Sequence, residues 1–70
     1  MFEVYFIDSL NKKRKLSEDL VSDRKAHKII NDFLKERNYK APYFREWIED
    51  GIIIIDVGSC SEFFHMIDKS

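Results

Sequence analysis

The run at residues 50–57, Asp-Gly-Ile-Ile-Ile-Ile-Asp-Val, limits the fold of this 70-residue chain more than any other stretch. An Asp-Gly pair between apolar runs is a strong hairpin signal, because both central positions of the tight turn need positive φ. The isoleucines that follow are β-branched and suit a strand. Successive strand side chains point to opposite faces, so residues 52–55 make both faces of a sheet apolar. A chain this short has little left over to cover two faces. What covers the second one is therefore the question the sequence poses.

A two-residue loop sets the pairing by counting. Glu49 falls opposite Ile52, Ile48 opposite Ile53, Trp47 opposite Ile54, Glu46 opposite Ile55 and Arg45 opposite Asp56. The last pair matches opposite charges across the ladder. Sorting the hairpin by face gives two sets. One holds Phe44, Ile48, Ile53, Ile55 and Val57, with Glu46 among them. The other holds Tyr43, Trp47, Ile52 and Ile54, with Arg45 and Asp56 as an ion pair.

The rest of the chain supplies a helix and further strands. Ala26, Ile29, Ile30, Phe33 and Leu34 make one apolar helical stripe. Ser22 suits the N-cap, Asp23 the positive end of the dipole, and Lys35 and Arg37 the other end. A start at Ser17 is less consistent, since Leu16, Leu20 and Val21 do not join the stripe. The stop is expected near Asn38, with Pro42 beyond. Residues 2–8 alternate as a strand, and residues 12–20 are expected to fold back on it. Residues 62–67 read as a short final strand or a helical turn. The expected fold is therefore α+β: one helix on one face of an antiparallel sheet of four or five strands, in the order ββαββ. A chain of this length is expected to be a single domain.

One helix covers one face, and the more aliphatic set is expected beneath it. The second set, Tyr43, Trp47, Ile52 and Ile54, is then either covered by the final segment or the N-terminal Met, or is a protein-binding surface. Aromatic residues are enriched in such surfaces. The expected function is thus a non-enzymatic interaction module that self-associates or regulates a protein partner. The alternative is nucleic-acid binding through the run Lys12, Lys13, Arg14 and Lys15. The 13 acidic residues against 12 basic ones weigh against it, because binders carry a net basic field.

Other chemistries have thin support. Cys60 and His65 could suggest a nucleophile and base, but positions five apart in a strand point to opposite faces, and no third group orients the base. His27, Cys60 and His65 lack the paired spacing of zinc ligands. Asp56-Val-Gly-Ser59 has one glycine and no following helix or lysine, so it reads as a turn and not a phosphate loop. No catalytic residue, metal, cofactor or small-molecule substrate is expected. The longest purely apolar run, residues 52–55, is far too short to span a membrane. The opening Met-Phe-Glu-Val-Tyr lacks the pattern of a signal peptide, and with a lone cysteine it suggests the cytosol. A short Lys- and Ile-rich domain fits a phage or mobile-element genome on base rates.

Overall fold

A computed structural model describes residues 1–69. The elements run β1 (Phe2–Ile7), β2 (Lys13–Lys15), α1 (Asp23–Glu36), β3 (Arg45–Glu49), β4 (Ile52–Asp56) and β5 (Phe63–Asp68). The five strands form one antiparallel sheet in the order β2-β1-β5-β4-β3. The fold is a small α+β domain of the expected class. Residues 63–68 resolve the open choice at the C-terminal end as a strand.

Local chemistry explains the best-defined elements. Asp50 and Gly51 take φ of 53° and 77°, as a tight hairpin turn demands, and the β3–β4 register is the one counted from the turn. The Ser22 side chain accepts a hydrogen bond from the Lys25 amide at 3.2 Å and starts the helix. The helix closes where Asn38 turns left-handed at φ 58°. There the Tyr39 amide donates to the Leu34 carbonyl and the Asn38 amide to that of Lys35, both at 3.0 Å. This is a Schellman ending with asparagine in place of glycine.

The second strand is shorter than expected. Regular pairing stops at Lys15, although the Leu16 amide still reaches the Val4 carbonyl at 2.8 Å. Ser17 is buried, and residues 18–20 loop out into solvent. Val21 then rejoins β1 opposite Phe2. Glu18 and Asp19 prefer water to a place in the ladder, so the return strand breaks around them.

The core lies between the helix and the middle of the sheet. Ala26, Ile30 and Leu34 pack on Val4 and Phe6 of β1, Phe64 and Met66 of β5, and Ile55 of β4. Phe33 completes an aromatic cluster, with its ring 4.8 Å from Phe6 and 5.8 Å from Phe64. The Arg37 guanidinium caps the cluster, 4.9 Å from the Phe6 ring centroid. The helix does not cover β3 and touches it through the His27–Glu46 contact. Phe44 and Ile48, expected beneath the stripe, are 51% and 72% exposed. One helix is only about 10 Å wide, roughly two strand spacings, so it sits over β1, β5 and β4.

Truncating Met66 to Ala empties a fully buried site and should cost about 2–5 kcal/mol in urea unfolding. Gly58 and Gly51 both have positive φ, but a methyl at Gly58 would strike the Pro42 ring whereas one at Gly51 meets open space. Gly58→Ala should therefore lower the melting temperature more than Gly51→Ala, whose cost is about 1 kcal/mol.

Candidate functional site: the open face of the sheet

Alternation and register together map the face away from the helix. It has three rows. Across the strands from β2 to β3, the first row reads Lys13, Ile7, Phe63, Asp56 and Arg45. The second reads Lys15, Tyr5, His65, Ile54 and Trp47. The third reads Glu3, Ile67, Ile52 and Glu49. Apolar and aromatic side chains fill the centre, and charged ones stand at the edges.

This arrangement locates the residues singled out from the sequence. Trp47, Ile52 and Ile54 are neighbours on the open face. The Trp47 indole leans over β4 and meets Phe63 edge to face, with 6.4 Å between centroids, yet the residue stays 37% exposed. Tyr43 lies just before β3, and Arg45 separates it from the other three. The Arg45 guanidinium lies 5.5 Å from the Tyr43 ring and 5.8 Å from the Trp47 ring. It also donates to the buried Asp56 carboxylate at 2.7 Å. That hydrogen bond, helped by the Gly58 amide, holds the Asp56 carboxyl below its usual pKa despite burial.

The expected cover for this face is absent among the described residues. The final segment does not fold over it. As β5, that segment enters the sheet between β1 and β4 and adds Phe63, His65 and Ile67 to the open surface. Met1 is itself exposed. Sequence reasoning missed these three residues and Tyr5; Ile7 points to the same face but is buried. The signal was present in the alternation of residues 63–67, but the position of the strand within the sheet was not.

The basic run is divided. Lys15 pairs with Glu3 at 3.2 Å, and Lys13 stands 5.9 Å from the Tyr5 ring centroid, both on the open face. Arg14 points to the other side, 5.8 Å from the Phe33 ring. Lys12 lies in the turn before β2. Pairing with Lys15 holds the Glu3 carboxyl below its ordinary pKa.

The two histidines titrate in opposite senses. His65 sits mid-sheet, its Nδ1 buried without a hydrogen-bond partner among the described residues. Burial and then the charge of Lys13 push its pKa down, against a smaller upward pull from Glu49. His27, on the helix, can donate from Nδ1 to the Asp23 carbonyl at 2.9 Å and from Nε2 to Glu46 on β3 at 3.3 Å. Burial lowers its pKa, but the Asp23 carbonyl and the charges of Glu46 and Asp23 outweigh this and raise it. Cys60 is exposed in the loop before β5. Among the described residues, no group of three His, Cys, Asp or Glu side chains gathers as a metal site requires. No helix among them is long and apolar enough to cross a membrane.

A cavity of about 240 Å³ opens on the helix side between Leu34, Tyr39, Val57 and Phe64. It is smaller than an ordinary ligand pocket of roughly 300–1,000 Å³. A second hollow of about 420 Å³ lies between Asp8, Arg14, Glu36, Arg37 and Glu62, where charges of both signs line it. The open face, with its contiguous apolar and aromatic side chains, is the stronger candidate. Comparison of the chain with protein-family models, curated proteins and solved structures finds no match.

The histidine shifts set the pH dependence of stability. The lowered pKa of His65 gives stability that is present above the unfolded value of about 6.5 and is lost as pH falls through the folded value. The raised pKa of His27 gives stability that is present below about 6.5 and is lost as pH rises through its folded value. Urea unfolding at about 5 µM, where association is negligible, should show His65→Gln losing part of the destabilisation on acidification. His27→Gln should show a steeper one.

Proposed function

We propose that this chain is a non-enzymatic interaction module whose open sheet face docks on protein, a second copy of itself in the first instance. The observation that carries this reading is the apolar centre of the face, where half-buried Phe63, Ile67, Ile52 and Ile54 and the more exposed Trp47 lie around His65 with no helix packed over them. Contiguous apolar surface ringed by charge is characteristic of contact sites. Charge favours a copy of the same chain. Lys13 and Glu49 stand at opposite corners of the face, and neither has an ion-pair partner among the described residues. A surface with opposite unpaired charges at its two ends complements itself.

The footprint sets the expected strength. Five strands by three rows span about 24 Å by about 20 Å, or roughly 500 Å² a side. That is at the low end for specific interfaces, so the association is weak and depends on concentration. Nucleic-acid binding by Lys12, Lys13, Arg14 and Lys15 has less support, because Arg14 faces the helix side while Lys13 and Lys15 face the other.

Sedimentation velocity from about 10 µM to about 1 mM covers the range such an interface requires. The wild-type chain should move from monomer to dimer. Ile54→Lys should stay monomeric, and Trp47→Ala should weaken the dimer about tenfold or more, with circular dichroism unchanged. A monomer throughout overturns self-association. A dimer that survives both substitutions moves it away from this face.

A further inference from the structure

We infer that the open faces of two copies meet across a two-fold axis at His65, so that protonation of the two facing imidazoles opens the dimer. This inference rests on the self-association reading and adds its axis and its control. His65 occupies the middle strand of five and the middle row of three. In a face-to-face pair with two-fold symmetry, the axis lies in the interface and the face maps onto itself. The residue at its centre then meets its own counterpart. A further constraint orients the axis. Running across the diagonal that joins Lys13 to Glu49, it places each Lys13 beside the Glu49 of the other copy, and does so twice.

The surroundings of His65 fit a ring that docks neutral. Tyr5 flanks it from β1 and Ile54 from β4. Lys13 and Lys15 of β2 bring positive charge, and Glu49 of β3 brings negative charge from the next row. Glu3 and Asp56 are already held by Lys15 and Arg45. Both carboxyls have lowered pKa values, so they stay ionised while histidine titrates. His27 lies on the helix side between Asp23 and Glu46, away from the proposed contact. Burial against a second sheet disfavours the charged imidazole further, and a like charge across the axis adds to this. The pair therefore excludes two protons that two free chains would bind. By linkage, the dissociation constant should rise about 100-fold per pH unit below the pKa of the free chain, about tenfold for each proton.

The test is sedimentation equilibrium of the full chain at about pH 8 and about pH 5, the lower value set beneath the ordinary histidine range because the His65 pKa is lowered. The wild type should dissociate at least about tenfold more readily at the lower pH. His65→Gln should bind equally at both, and His27→Gln should follow the wild type. His65→Asn serves if glutamine disturbs the fold. The axis has its own test, independent of position 65. Glu49→Lys should weaken the dimer, and adding Lys13→Glu should restore it. A dimer indifferent to pH, a pH response kept in both position-65 variants, or failure of the charge swap overturns this inference and leaves self-association standing. A monomer at both pH values overturns both.

Discussion

The antiparallel pairing of β1 with β5 is the contact on which the rest of this structure depends. Six residues at the start of the chain, Phe2–Ile7, pair with six near its end, Phe63–Asp68. On the helix side this ladder sets Val4 beside Met66 and Phe6 beside Phe64, the floor on which Ala26, Ile30 and Leu34 rest. Toward solvent it sets Tyr5 beside His65 and Ile7 beside Phe63. Without it the sheet would split into a β1–β2 hairpin and a three-stranded β3–β4–β5 meander, and the floor beneath the helix would be cut in two. An isolated two-stranded hairpin is marginal in water, so β1–β2 would not persist alone.

A second constraint is the ratio of helix to sheet. Five strands present two faces, and a single 14-residue helix spans part of one. The helix takes the central strands, where Val4, Met66 and Phe64 are almost wholly buried. β3 remains exposed along its whole length, tied to the helix by the His27–Glu46 contact. The chain holds its open face together by other means. Charged side chains reach over neighbouring rings, as Lys13 does at Tyr5 and Arg45 does at Trp47. The Arg45–Asp56 pair fixes one corner and Lys15–Glu3 another. These contacts order the face without covering its centre.

Local chemistry made much of the fold legible in the sequence. The Asp50-Gly51 turn implied its register residue by residue, because a two-residue loop leaves no freedom in the pairing. The helix followed from one apolar stripe and a serine cap. The face bearing Trp47, Ile52 and Ile54 followed from the turn and from alternation alone. What the sequence hid was non-local. Nothing in residues 63–67 says that they lie between β1 and β4, since strand order is a property of the whole sheet and not of the segment. So Phe63, His65 and Ile67 went unassigned, and with them the centre of the candidate surface. The break after Lys15 was hidden too. It depends on how Glu18 and Asp19 compete for water against a ladder whose quality the local sequence does not reveal.

The order of strands in the sheet differs from the order in which they are synthesised. β5, the middle strand, is the last described element to leave the ribosome, and both β1 and β4 need it as a neighbour. Until it arrives, the isoleucines of β4 have β3 on one side and an open edge on the other. Pairing across nearly the whole chain is also slow, because a large loop must close before it gains any contact. Between the emergence of β4 and that of β5 the nascent chain therefore carries an unpaired, β-branched edge, and chaperone access or rapid completion protects it from its neighbours in that interval.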